Sequence, residues 1–351
     1  MSKNDIRFGA SLPWITPGDT FRANEILSVA KAGEKIGFDS LWSGDHLLHF
    51  PGLRVPEAWT ILTASSMVTK KVNLGTAVTC PHRHHPAVFA QRLATIDHFS
   101  KGRIILGLGA GDAINLDPFN IDWHKPVSKL VEYVEIMRKL WAGERFSYES
   151  EFWSFDDAFL QIKPVGDKIP IYFAANSPRM TRFTGKIGDG WIPLGLTPEL
   201  YKKRLEVIRE AARMAGRNPD EIDVGIYICT SIADKAEDAY PYLEPAKSIL
   251  VPSTLKEAGY ELDLPENLRS YSYMDWKPTA EYMGVVAEYS KHIPTEAVND
   301  FCLAGTVRDC INRMEAFVDA GVRHFIFEIM GPDHQKMVEQ IGNEILPYFA
   351  E

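Results

Sequence analysis

The chain has 351 residues, 45% hydrophobic and 24% charged, proportions of a globular protein that exclude a fibrous or disordered one. Lys and Arg number 38 against 47 Asp and Glu, so the net charge is −9 with no basic stripe, and nucleic acid is not an expected partner. No apolar run reaches the roughly 18 residues that span a bilayer, Met1 to Asp5 is no secretion signal, and Cys80, Cys229, Cys302 and Cys310 form no CxxC pair, so a cytoplasmic protein without a membrane partner is expected.

Apolar strand segments alternate with helical periodicity along the whole chain. Ile6 to Leu12 reads as a strand, and the pattern from Thr20 to Lys35 as a helix closed by Gly37. Phe38 to Ser43 and Val72 to Thr79 are the next strands, each followed by a helix, Glu57 to Val68 and then Pro86 to Phe99, with Pro86 suited to a first helical turn. Arg103 to Leu108 leads through a Gly-rich loop to a helix at Val127 to Leu140, which Gly143 ends. Arg145 to Lys163 alternates like a hairpin insertion. Strands five to seven are expected at Ile169 to Ala174, Gly190 to Leu194 and Val224 to Ile232, with helices at Pro178 to Ile187 and Pro198 to Ala215. Ala239 to Pro294, rich in Tyr and Pro, is expected to cover one end with short helices. Thr306 to Ala320 (helix), His324 to Ile329 (strand) and Gln335 to Tyr348 (helix) complete the pattern. Eight strands without a GxGxxG after the first specify an α/β TIM (β/α)8 barrel, one domain over 1–351 with insertions at about 143–165 and 240–300.

In such a barrel the site is built from loops after the strands. After strand two stand Asp45 and His46, an imidazole suited to act as a base or hydrogen-bond donor. After strand three stand His82, His84 and His85, a spacing that invites a metal; adjacent imidazoles point apart, however, and no Cys or carboxylate completes a ligand set, so no metal is expected. Gly107, Gly109 and Gly111 alternate after strand four, where a missing Cβ lets backbone approach a flat ligand or bends a barrel corner, and Asp112 stands at the rim. After strand five, Ala175 to Arg179 offers free N–H groups and a cation to a phosphate, or an ordinary helix capped by Ser177.

Ser43-Gly44-Asp45-His46, His85-Pro86 through Ala90, Ala94-Thr95-Ile96-Asp97, Ser100-Lys101-Gly102-Arg103 and Gly107 to Asp112 together resemble the bacterial-luciferase-like flavin and deazaflavin family, over nearly the whole chain. The likeness is strongest to its coenzyme F420-dependent branch of pterin reductases and of alcohol and sugar-phosphate dehydrogenases; Gly107 to Val127, with Asp at 112, is similar to the methylenetetrahydromethanopterin reductases. The resemblance implies coenzyme F420 as cofactor and a hydride transfer to a small substrate, a tetrahydromethanopterin derivative first and an alcohol or sugar phosphate second. It implies a cis peptide at Ala77-Val78 behind the deazaflavin ring, a cofactor site of Asp45, Ala77, Val78, Gly109, Ala110, Gly111, Ala175, Asn176, Ser177 and Arg179, and catalytic roles for Asp112 and His46. Ser11, Trp14 and Phe50 are the expected substrate contacts, and a homodimer or higher homo-oligomer the expected assembly. One departure stands out: the branch carries a Glu after strand one, where this chain reads Ala10-Ser11-Leu12-Pro13-Trp14, so its proton role or substrate contact is absent or supplied by Ser11, His46 or Asp112. An FMN-dependent monooxygenase and a non-catalytic cofactor-binding barrel are the rival readings.

Overall fold

The computed structural model describes residues 6–18, 21–166 and 168–350. Eight parallel strands, β1 (Arg7–Ser11), β2 (Ser40–Ser43), β3 (Asn73–Thr76), β4 (Ile104–Leu108), β5 (Ile171–Phe173), β6 (Gly190–Trp191), β7 (Asp223–Ile232) and β8 (His324–Ile329), pair in sequence order. The β8–β1 pairing, Arg7 with His324 through Ala10 with Phe327, closes the ring, so the fold is the expected TIM barrel.

The surrounding helices follow the sequence signals. In α1 (Ala23–Ile36) the residues Ile26, Val29, Ala30 and Gly33 recur at helical spacing and are buried, and Gly37 ends the helix in the left-handed conformation. Thr20, the expected helix start, lies outside the described residues. α2 (Ala58–Val68) starts where the Glu57 carboxylate accepts from Thr60 N at 2.6 Å. α3 (Pro86–Ser100), α4 (Pro126–Ala142), α5 (Pro178–Ile187) and α6 (Pro198–Met214) all begin at a proline. A Thr306–Asp309 capping box opens α7 (Val307–Ala320), and α8 (His334–Ala350) carries a π turn at Ile341–Ile345.

Two insertions interrupt the repeat. Phe146–Glu149 and Ser154–Ala158 form the expected antiparallel hairpin. Between β7 and α7 the chain makes short helices at Ala236–Leu243, Pro252–Glu257, Ala280–Lys291 and Thr295–Phe301, then a strand, Leu303–Gly305, that pairs with β7 outside the ring and that periodicity did not reveal. Strands three and six are shorter than expected: β3 stops before a cis peptide bond at Ala77-Val78, and β6 holds two residues.

Large side chains fill the barrel opposite glycines. A Cβ on Gly9 or Gly75 would meet Trp42, and one on Gly190 would meet the Tyr172 ring, all within 2.7 Å, so Trp42 and Tyr172 occupy the space those residues leave. Below the candidate site a polar chain crosses this interior. Trp42 Nε1 donates to Ser40 Oγ (2.7 Å), Ser40 Oγ meets His324 Nε2 (2.8 Å), and His324 Nδ1 meets Asp223 (3.0 Å), which also holds Arg7 and accepts from Tyr172 (2.5 Å).

Candidate active site

The loops after the strands enclose a cavity of about 770 Å³ at the C-terminal end of the barrel, within the size range of small-molecule sites. Its wall includes the Ala77-Val78 segment, against which β4 packs backbone to backbone: Thr79 N donates to Gly107 O (2.9 Å) and Gly109 N to Thr79 O (3.0 Å). A Cβ on Gly107 would stand 1.8 Å from Thr76 O, and one on Gly109 would stand 2.7 Å from Val78. Gly111, at φ +96°, abuts Cys80, His82 and Leu116. The three alternating glycines are thus required by contact of the chain with itself, and Gly109 and Gly111 also line the cavity.

Asp45 lines the cavity but is committed inward. Its carboxylate pairs with Arg83 at 2.7 Å and accepts from Thr79 Oγ1 at 2.6 Å, joining the loops after β2 and β3. The histidines of the third loop part as the sequence suggests: His82 Nε2 meets Ala110 O (3.0 Å), His84 stacks on Phe89 and His85 caps α3.

His46 and Asp112 are joined by a residue to which sequence reading gave no role. The Asn115 amide oxygen accepts from Leu47 N (2.6 Å) and Leu48 N (3.1 Å), which fixes its orientation. Its Nδ2 therefore donates to Asp112 Oδ1 (2.8 Å) and to His46 Nδ1 (2.6 Å). With Nδ1 accepting, the ring proton of neutral His46 sits on Nε2, so this imidazole donates to a ligand rather than accepting its proton. That corrects the base role.

Trp14 stacks on the other side of His46 (centroids 5.5 Å apart) over Gly44, where a Cβ would come within 2.5 Å of the indole. Its Nε1 donates to both oxygens of Glu328 on β8 (3.2 and 3.3 Å). His49, Phe50, Tyr273 and Trp276 continue the aromatic wall, with Phe50 and Trp276 4.6 Å apart. Burial and the neighbouring His46 push His49 down to about 3, and burial pushes His334 down to about 4, so both are neutral at physiological pH.

Of the other expected residues, Phe50, Ala110, Asn176 and Ser177 line the cavity; Ser11, Ala175 and Arg179 do not. Ser11 is fully buried, its hydroxyl accepting from Ile329 N (3.1 Å), and so is withdrawn as a substrate contact. The Ala175 carbonyl accepts from Trp191 Nε1 (2.8 Å), Arg179 bonds Ser128 (2.7 Å) outside the cavity, and Ser177 caps α5 through Met180 N. Glu328 was missed as a site residue, although a lone carboxylate in the apolar run His324–Ile329 was its signal.

The fold and these loops define a class: residues 6–324 match the luciferase-like monooxygenase family model, and the chain belongs to that family. Within it the chain groups with coenzyme F420-dependent oxidoreductases. It is 31% identical to an F420-dependent glucose-6-phosphate dehydrogenase of Microbacterium testaceum, over 97% of each chain. It is 30% identical to the 5,10-methylenetetrahydromethanopterin reductase of Archaeoglobus fulgidus, over 92% of this chain and 95% of that one. An F420-dependent secondary alcohol dehydrogenase, solved in complex with an F420-acetone adduct, superposes with a TM-score of 0.84 at 26% identity over the full length of both.

Proposed function

We propose that the protein is a coenzyme F420-dependent oxidoreductase that moves a hydride between the deazaflavin and a carbon of a small, uncharged hydroxyl or carbonyl compound. The cavity suits the cofactor: Asn176 presents a buried Oδ1 without a partner, and the Ala77-Val78 segment offers an apolar face. Ala77, Val78, Gly109, Ala110, Gly111, Asp112, Asn176 and Ser177 would hold the ring system, and the N-terminus of α5 would face the anionic tail. The bound deazaflavin supplies a two-electron hydride acceptor or donor.

The observation that carries the substrate class is charge. Among the described residues the lining holds Asp45, Asp112 and Glu328 but no Lys or Arg, and the flanking His49 and His334 are neutral. A phosphorylated substrate would bring roughly −1.5 to −2 charges into this wall with nothing to pair them. His46 Nε2–H would donate to the substrate oxygen and polarise it, with Trp14 and Asn115 fixing the ring. A second reading, reduction of the methylene carbon of a tetrahydromethanopterin derivative, is supported by the aromatic faces of Phe50, Tyr273 and Trp276, on which a pterin can stack.

Assays of F420 reduction separate these. Secondary alcohols such as 2-propanol and cyclohexanol should reduce F420 in the presence of the protein without oxygen uptake. Turnover of glucose 6-phosphate would overturn the substrate class, and turnover of the pterin alone would promote the second reading.

A further inference from the structure

Glu328 stands at the C-terminal end of β8 with its side chain in the cavity wall, and no ion pair compensates it among the described residues. Its partners are all neutral donors: Tyr227 OH in a short hydrogen bond, Trp14 Nε1 and the Ser11 hydroxyl. Three elements converge on this one carboxyl, namely β7 through Tyr227, β8 itself and the β1 loop through Trp14. A carboxylate held in the cavity wall by neutral donors is costly to keep charged without a cation, and none stands against it among the described residues. The remaining titratable neighbours are uncharged as well: Cys229 on β7, whose thiol is held far above its ordinary range, and His334 at the start of α8, which contacts Ser11 O at 2.6 Å.

We propose that Glu328 exchanges the proton of the substrate, with Tyr227 and Trp14 as its positioning residues. This rests on the oxidoreductase reading above and gives the site a division of labour. His46 donates a hydrogen bond from Nε2 and has no free lone pair to take a proton, whereas Glu328 has one, and Trp14 links the two by stacking on His46 and bonding Glu328. In oxidation of an alcohol the C–H bond breaks with its electron pair leaving as hydride to the deazaflavin. The O–H bond breaks, its electrons form the C=O bond, and the proton goes to a Glu328 oxygen. In reduction of a ketone the protonated Glu328 returns that proton to the oxygen as hydride arrives at carbon. Burial opposes the charged form and the three donors favour it; burial wins and holds this carboxyl up at about 7, so both forms are present at neutral pH.

The test uses the F420-loaded protein and two readouts. In infrared pH titration from 5 to 9, the C=O stretch of one protonated carboxyl should disappear with a midpoint near 7 in the wild type and be absent in Glu328→Gln. Addition of cyclohexanone, a neutral carbonyl probe, should shift that band. Cyclohexanone reduction by F420H2 should fall by about 10²- to 10⁴-fold in Glu328→Gln with F420 affinity unchanged, and Tyr227→Phe should move the midpoint of the pH profile rather than abolish turnover. A titration without that band, a band that ignores the ketone, or a Glu328→Gln enzyme with normal turnover would each overturn the proposal. Failure of the cofactor reading shows separately, as absence of F420 binding while the Glu328 band persists.

Discussion

An Asp112→Asn enzyme should turn over about 10²- to 10⁴-fold more slowly than the wild type while binding F420 within about threefold of it. The substitution is nearly isosteric and keeps the geometry. The oxygen of an amide at 112 can still accept from Asn115 N (3.2 Å) and Asn115 Nδ2 (2.8 Å), so the Asn115 bond to His46 survives. What leaves is the negative charge at the cavity rim, beside the Asn115 amide that donates to His46; under the proposed function that charge would act on the hydride-transfer step. Rapid-mixing kinetics with F420H2 and a ketone, together with a fluorescence titration of F420, measure the two quantities apart. Equal loss in both would make Asp112 a binding residue, and near-normal turnover would remove it from the mechanism.

Asp223→Ala should destabilise the barrel by about 3–5 kcal/mol, the cost of removing one partner from a buried charge network. Asp223 joins β7 to β1 through Arg7, to β5 through Tyr172 and to β8 through His324, so its loss strands three groups at once. The same network predicts an acid transition. Burial raises this carboxyl, but His324, Arg7 and Tyr172 outweigh burial and hold it at about 2, below the ordinary value near 3.8. A lowered folded-state value stabilises the fold above the unfolded value and loses that contribution as pH falls through the folded one. About 2 kcal/mol should therefore disappear between about pH 4 and pH 2. Urea unfolding at pH 7, 4 and 2 should show a steeper decline over that window in the wild type than in Asp223→Ala. Parallel declines would contradict the assignment.

Barrel class was legible because strand and helix periods alternate and because caps and breakers such as Pro86, Ser177, Gly37 and Gly143 mark element ends locally. The Leu303–Gly305 strand was not, since three residues carry no period. Around the cavity, spacing placed Asp45, His46, Asp112 and Asn176 in loops that line it but could not say which way each turns: Asp45 faces Arg83, and His46 faces Asn115. Gly107 and Gly109 were visible and their reason was not, because the atoms they avoid belong to Thr76 and Val78, about thirty residues away. Glu328 escaped for a related reason. The family resemblance directs the search for a carboxylate to the end of β1, where Ser11 stands, whereas closure of the ring sets β8 beside β1 and brings a carboxylate in from the far end of the chain.

Hydride chemistry on a deazaflavin requires that the barrel bind coenzyme F420 in preference to FMN. The most direct test is to titrate the purified protein at low salt with coenzyme F420 and, separately, with FMN, following ligand fluorescence. Saturable one-to-one binding of F420, with FMN bound at least about a hundredfold more weakly, a difference of roughly 2.7 kcal/mol, is the predicted result. Tight binding of FMN with none of F420 would contradict the account and make oxygen, rather than a ketone, the substrate to test.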